Sequence, residues 1–145
     1  MSKISVVYWS QSGNTKLMAE AVAAGITEAG GEAEVLEVSG ASLEELKALP
    51  AFALGCPAMG AEVLEETEME PFVTELEGFI SGKHIGLFGS YGWGDGEWMR
   101  DWVERMKNAG ADVIGDKGVI CQDAPNEDAV KECGDLGKQL VAANE

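Results

Sequence analysis

The hexapeptide Ser10-Gln11-Ser12-Gly13-Asn14-Thr15 follows a short apolar run, Ile4–Trp9, and opens a helical pattern. Hydroxyls and a glycine at the mouth of a helix suit an anion. Free backbone N–H groups and the positive end of the helix dipole converge there, and Ser and Thr add donors. Gly13 lets the backbone approach a ligand closely. The loop holds no Lys or Arg, and the chain carries a formal net charge of −16. An anion held here is therefore held by neutral dipoles. The plainer alternative is an ordinary helix cap made by Ser12 or Asn14. Neither GxxxxGK[ST] nor GxGxxG is present, so the loop is neither a P-loop nor the dinucleotide fingerprint.

Two further stretches stand out. Cys56-Pro57-Ala58-Met59-Gly60-Ala61-Glu62 sets a thioether, a glycine and a carboxylate close together. Ser90-Tyr91-Gly92-Trp93-Gly94-Asp95-Gly96 places two aromatics among three glycines. Each alone reads equally well as core side chains beside a turn. Together with the first loop they describe a slot, with a phosphate at one end and a flat conjugated ring between Met59 and an aromatic.

The elements that must position these loops alternate along the chain. Ile4–Trp9, Ala33–Val38, Ala51–Cys56, His84–Gly89 and Val113–Gln122 read as strands, the last broken at Gly115–Gly118. Between them lie helical patterns. Thr15–Ala29 carries Leu17, Met18, Ala21, Val22, Gly25 and Ala29 near a 3.6-residue period and stops at Gly30-Gly31. Ser42-Leu43-Glu44-Glu45 is a capping box. Pro71 starts a helix with Phe72, Val73, Leu76, Phe79 and Ile80 on one face. Asp95 caps a helix through Ala109 with Trp98, Trp102, Val103 and Met106 inward, and Pro125-Asn126 opens the last, with Val130, Cys133, Gly137 and Leu140 inward. Five strands joined by helical crossovers predict a three-layer, doubly wound α/β fold with a five-stranded parallel sheet. In such sheets ligands bind beyond the carboxyl ends of the strands, where all three loops fall.

A chain of 145 residues, 46% hydrophobic, is expected to be one globular domain. No repeat, linker or low-complexity segment divides it. No apolar run spans a bilayer, and the N-terminus lacks a signal-peptide pattern. Cys56, Cys121 and Cys133 are odd in number and lack CxxC spacing, so they read as reduced thiols of a cytoplasmic protein. The acidic excess argues against nucleic acid and favours partners with basic faces. His84 has no neighbours at metal-ligand spacing, so no metal site is expected. Cys56 has no base beside it and reads as a buried thiol. Trp98 and Trp102, at i, i+4, read as core.

These motifs resemble those of the flavodoxins over essentially the whole length. The resemblance rests on Tyr8-Trp9-Ser10-x-Ser12-Gly13-Asn14-Thr15, Cys56-x-Ala58-Met59-Gly60-x-Glu62 and Phe88-Gly89-Ser90-Tyr91-Gly92-Trp93-Gly94. It is nearest to the short-chain type with Met on the inner flavin face. It implies strand order 2-1-3-4-5, bound FMN and the role of a low-potential one-electron carrier that shuttles between semiquinone and hydroquinone. Ser10, Gln11, Ser12, Gly13, Asn14 and Thr15 would then form the phosphate loop. Pro57, Ala58, Met59, Gly60, Ala61 and Glu62 would line the inner face, with Met59 against the ring and Glu62 accepting from the ring N3–H. Ser90, Tyr91, Gly92, Trp93 and Gly94 would form the third wall, with Trp93 on the outer face. Gln11 and Ser12 depart from the commonest phosphate loop, although position 12 keeps its hydroxyl. Trp9 and Asp123 are further candidates, as a wall and as a ribityl contact.

The resemblance also implies a peptide flip at Gly60, whose carbonyl would accept the N5 proton of the semiquinone. One net hydrogen bond of ~1 kcal/mol is worth roughly 40 mV of one-electron potential. Gly60→Ala is therefore expected to lower the first reduction potential, with the semiquinone yield on titration as the check. Seven glutamates and no Lys or Arg lie between Lys47 and Lys83, namely Glu62, Glu65, Glu66, Glu68, Glu70, Glu75 and Glu77. Their field would disfavour the second electron. The plainer reading of this run is a solvated face. Partners would be basic-faced redox proteins docking at the acidic flavin edge, with a monomer suited to shuttling. The alternative is an FMN-dependent NAD(P)H reductase of quinones or nitro compounds. It is disfavoured because no basic group near the loops would hold a dinucleotide phosphate. A phosphoryl-accepting receiver domain shares the sheet order, but it needs an Asp where this chain has Gly55-Cys56-Pro57.

Overall fold

The computed structural model describes residues 3–11, 13–59 and 63–144. The elements run β1 (Lys3–Tyr8), α1 (Asn14–Glu28), β2 (Glu32–Glu37), α2 (Leu43–Ala48), β3 (Ala51–Gly55), α3 (Met69–Leu76), β4 (His84–Tyr91), α4 (Glu97–Asn108), β5 (Asp112–Val113), β6 (Val119–Gln122) and α5 (Glu127–Asn144). The named strands pair in parallel in the order β2-β1-β3-β4-β5, and β6 also pairs with β4. This is the expected doubly wound sheet, with the predicted fifth strand in two pieces. β5 meets the start of β4 at His84 and Ile85, and β6 meets its end from Phe88 to Tyr91. Between them Ile114–Asp116 forms a short 3-10 turn, with Gly115 at φ 75° and Asp116 at φ 60°. Left-handed residues break the ladder there, at the glycines where the sequence predicted a break.

Side-chain alternation along the central strands builds two cores. Ile4, Val6, Tyr8, Ala51, Ala53 and Phe88 pack with α1 and α5 on one face. Val7, Phe52, Leu54, Ile85 and Leu87 pack with α3 and α4 on the other. A parallel sheet covered on both faces needs such near-continuous apolar strands. α1 and α5 approach at backbone distance: a β-carbon built on Gly25 would lie 2.0 Å from the Gly134 carbonyl oxygen, and one on Gly137 2.2 Å from that of Val22.

Several local expectations are corrected. α3 begins at Met69, two residues before Pro71, and ends at Leu76, so Phe79 and Ile80 lie beyond it, Phe79 in the turn that follows. Proline lies in the first helical turn, where no N–H is needed. Asp95 does not cap α4; Gly96 at φ 93° precedes that helix, and Asp95 pairs with Arg100 at 3.0 Å. Leu17 and Val130 point outward, 51% and 46% exposed, because the inward stripes run through Met18, Val22 and Ile26 and through Ala129, Cys133 and Leu140. Ala29 is also exposed. Ser42 caps α2 as predicted, its Oγ accepting the Glu45 N–H. Trp98 and Trp102 are each 1% exposed and belong to the core.

Candidate functional site

Helix α1 differs from the other α-helices in its first turn. α2, α3, α4 and α5 each place a Glu or Asp there, while α1 has none. Gly13 is its N-cap at φ 96° and, having no side chain, makes no cap hydrogen bond of its own. The Ser10 Oγ folds across the turn and accepts the Gly13 N–H at 3.1 Å and the Lys16 N–H at 3.4 Å. In a chain of charge −16, a helix start without a carboxylate keeps its positive end available to an anion. Asn14 is the first residue of the helix and not its N-cap, and Ser12 lies outside the described residues.

The three loops converge on Ser90. Its Oγ lies 3.2 Å from the Thr15 Oγ1, a buried contact joining the first loop to the third across 75 positions of sequence. Its carbonyl accepts the Ala58 N–H at 3.0 Å, which joins the second loop to the third. The first loop also leans on β3, where the Trp9 N–H donates to the Gly55 carbonyl at 3.0 Å. Loss of the buried hydroxyl pair should weaken whatever the loop binds. Thr15→Val is expected to reduce FMN affinity about tenfold, the worth of one good hydrogen bond, as read by flavin fluorescence titration of the apoprotein. Wild-type affinity in that variant would remove Thr15 from the site.

Past Ser90, Tyr91 is half-buried and packs on Trp98 with ring centroids 5.6 Å apart and planes tilted by 52°. Trp93 stands 62% exposed in the same loop. Gly92 and Gly94 flank it, and Gln122 donates to the Gly92 carbonyl at 3.4 Å. Asp123, at φ 58°, donates its N–H to the Tyr91 carbonyl at 2.8 Å and so sits beside this loop. In the second loop Pro57, Ala58 and Met59 are half-buried, and Met59 and Val63 exchange backbone hydrogen bonds of 2.9 and 3.0 Å. Gly60, Ala61 and Glu62 lie outside the described residues. Gln11 is exposed at the tip of the first loop, and Gly13 and Asn14 are half-buried.

The structure adds residues that the sequence reading did not place in the frame. Cys56 is fixed on three sides: its N–H donates to the Phe88 carbonyl at 3.1 Å, its carbonyl accepts the Trp98 Nε1–H at 3.0 Å, and its Sγ accepts the Glu65 N–H at 3.5 Å. Burial pushes its thiol up to about 12, which agrees with an unreactive structural cysteine. Glu65 is 6% exposed, and its carboxylate accepts the N–H groups of Thr67, Glu68 and Met69 and the Thr67 hydroxyl. An acid followed two residues later by Thr and ahead of a first-turn proline was the signal available for this cap.

The glutamate run is therefore not one field. Glu65 is used as a cap. Arg105 of α4 takes Glu70 bidentately at 2.9 and 2.7 Å, and Glu77 at 3.0 and 2.8 Å. Glu66, Glu68 and Glu75 remain exposed. The Arg105 hydrogen bonds hold the Glu70 carboxyl below its ordinary 4.5, against an opposing effect of burial. At Glu65 burial alone would raise the carboxyl, but the hydrogen bonds from Thr67, Glu68 and Met69 outweigh it and the net shift is downward from 4.5. Both groups thus contribute stability that is present above pH 4.5 and lost as pH falls through their lower native values. Glu70→Gln is expected to flatten the acid side of a Tm-against-pH profile relative to wild type. An equally steep acid limb in both proteins would show that this pair contributes nothing.

His84 Nδ1 lies 2.7 Å from the Asp112 Oδ2 across β4 and β5, a strand-end pair and not a metal ligand set. No cluster of three or more His, Cys, Asp or Glu suited to a metal exists among the described residues. No described helix is long and apolar enough to cross a membrane. A cavity of about 770 Å³ lies between α4, α5 and the β5–β6 turn, lined by Met99, Ile120, Leu136 and Gln139 among others, and none of the predicted site residues borders it.

A doubly wound sheet with three loops gathered at the carboxyl ends of β1, β3 and β4 defines a nucleotide-type binding domain of the flavodoxin-like class. Within that class, residues 6–135 match the flavodoxin family model, and the chain belongs to the flavodoxin family. It is 48% identical over 138 residues to a flavodoxin of Clostridium beijerinckii, covering 95% of this chain and 99% of the relative. It is 41% identical over 140 residues to a flavodoxin of Megasphaera elsdenii, covering 97% and 99%. The solution structure of the two-electron reduced Megasphaera elsdenii flavodoxin superposes with a TM-score of 0.86 over 98% of this chain and 99% of that one. Electron transfer with FMN as cofactor, and not substrate turnover by the chain alone, follows from this membership, and the reductase alternative is not favoured.

Proposed function

We propose that the three loops joined at Ser90 form the FMN site, with the phosphate on the α1 N-terminus and the ring between the second and third loops. The observation that carries this reading is the uncarboxylated first turn of α1 beside the buried Thr15–Ser90 pair. The donor set fits a phosphate: backbone N–H groups, two hydroxyl-bearing loops and a left-handed glycine, with no acidic side chain in the turn. Ser10, Gln11, Ser12, Gly13, Asn14 and Thr15 would hold the phosphate. Pro57, Ala58, Met59, Gly60, Ala61 and Glu62 would face one side of the ring, and Ser90, Tyr91, Gly92, Trp93 and Gly94 the other. An indole left 62% exposed in a short glycine loop gains a partner if it stacks on a ring.

FMN, when bound, supplies the one-electron chemistry. The chain supplies the frame: hydroxyls and dipoles for the phosphate, shielding of the ring faces from water, and a short segment at 60–62 whose backbone would meet the ring edge. Exposed carboxylates near that edge, Glu66 and Glu68 among them, suit docking to redox proteins with basic faces. A single cytoplasmic domain working as a monomer accords with that role.

Comparison of FMN with riboflavin tests the phosphate assignment. Two or more hydrogen bonds to a charged group, at about 1.5 kcal/mol or more each, require FMN to bind at least about 100-fold more tightly. Equal affinity for the two flavins would place the phosphate outside the α1 turn.

A further inference from the structure

The second loop is clamped at both ends, and the clamp at its exit is a buried charge that flavin binding as outlined above does not use. Glu65 is 6% exposed. One carboxylate oxygen accepts the Glu68 N–H at 2.7 Å and the Met69 N–H at 3.1 Å, and the other accepts the Thr67 N–H at 2.8 Å together with the Thr67 hydroxyl. Its carbonyl accepts the Glu70 N–H at 2.8 Å. The carboxylate and the carbonyl of Glu65 thus share the free donors at the start of α3, and the carboxylate lies at the positive end of that helix. The backbone N–H of the same residue donates to the Cys56 Sγ at 3.5 Å. Cys56, at the loop's entry, is held by Phe88 and by Trp98. Entry and exit therefore meet at one sulfur, with α3 fixed on one side and β4 and α4 on the other. Inside this ring the Met59–Val63 pair closes the loop again.

We propose that Glu65 is a positioning residue for the flavin loop: its carboxylate locks the loop's exit onto α3 and so holds the Met59–Val63 pair in place. This rests on the assignment of the second loop to the flavin ring. Removal of the carboxylate leaves the N–H groups of Thr67, Glu68 and Met69 without their acceptor and frees the chain from Val63 to Thr67 to shift. The Met59–Val63 pair then opens more often, and the loop binds flavin after ordering itself at a cost the wild type does not bear.

The test compares Glu65→Ala, Glu65→Gln and Glu70→Ala. Glu70 lies in the first turn of α3, and its side chain is tied to Arg105 and not to the loop, so its truncation reports a merely weakened α3. Three quantities are measured: amide exchange at Met59 and Val63 in the apoprotein, the FMN dissociation constant by fluorescence, and Tm. Glu65→Ala is expected to exchange faster at both amides and to bind FMN about tenfold more weakly, or about 1.4 kcal/mol. Glu65→Gln keeps one of the two acceptor oxygens and turns the other position into a donor, so it is expected to recover only part of both. Glu70→Ala is expected to lose Tm but keep wild-type exchange at Met59 and Val63. If Glu65→Ala does not fold, Thr67→Val removes one of the carboxylate's donors and should give a smaller change of the same sign. Unchanged exchange in Glu65→Ala, or losses in Glu65→Ala and Glu70→Ala that track Tm alike, would overturn the proposal. Failure of the wild type to bind FMN would overturn the loop's assignment instead, and the apoprotein exchange rates would still decide whether Glu65 locks it.

Discussion

Gly89→Ala should cost the protein both its FMN and several kcal/mol of stability. A β-carbon at this position would lie 2.1 Å from the Cys56 carbonyl oxygen and 3.1 Å from the Trp98 indole. The first neighbour is backbone and cannot rotate away. It also accepts the Trp98 Nε1–H at 3.0 Å, so displacement breaks a buried hydrogen bond. Overpacking of this kind costs ~1–3 kcal/mol, and a buried donor left unpaired costs ~1–3 kcal/mol more. The functional loss is larger than the stability loss alone suggests, because Cys56 opens the second loop and Ser90, the next residue after Gly89, ties the other two. We expect a loss of about 3 kcal/mol in urea unfolding of the apoprotein and at least about a 100-fold loss of FMN affinity. Gly40→Ala serves as the control, since a β-carbon there meets nothing within 4 Å. Near-wild-type behaviour of Gly89→Ala would show that β3 and β4 are not packed as described.

Gly25→Ala is expected to have the second largest effect, through the fold rather than the site. Its β-carbon would lie 2.0 Å from the Gly134 carbonyl oxygen and 2.7 Å from the carbonyl carbon. Neither helix can accommodate it without moving as a body, because the contact is backbone to backbone. Met18, Val22 and Ile26 on α1 and Cys133, Leu136 and Leu140 on α5 are buried around the crossing and resist separation. A cost of about 3 kcal/mol corresponds to a fall in Tm of roughly 10 °C for a chain of this size. The N-terminus of α1 carries the phosphate loop, so FMN affinity should fall as well, though less than in Gly89→Ala. A thermal scan settles the first point, and a shift under 2 °C would refute the close crossing.

The sheet was legible because each central strand is apolar on both faces and each crossover carries a helical period. The helix faces were legible in outline, and Trp98, Trp102, Met106 and Cys133 are buried as expected. Leu17 and Val130 were misplaced because one step along a helix turns the side chain by about 100° and takes it off the stripe. The start of α3 was read from Pro71, although its true signal lay further back in Glu65. Periodicity does not show a cap that bonds through the side chain from outside the helix. The loops that bind were visible as odd local composition, but their junction was not. Thr15 and Ser90 are 75 positions apart, and only folding shows that their hydroxyls meet. The glutamate run was legible as charge but not as use: Arg105, which binds Glu70 and Glu77, comes from a helix beyond β4.

Stepwise anaerobic reduction of the FMN-loaded protein, followed by its absorption spectrum, tests the central claim most directly. A frame that holds flavin for one-electron transfer predicts a long-wavelength band that rises to a maximum near half-reduction and then falls. Bleaching of the oxidised spectrum in one two-electron step, with no such band at any point, would contradict it.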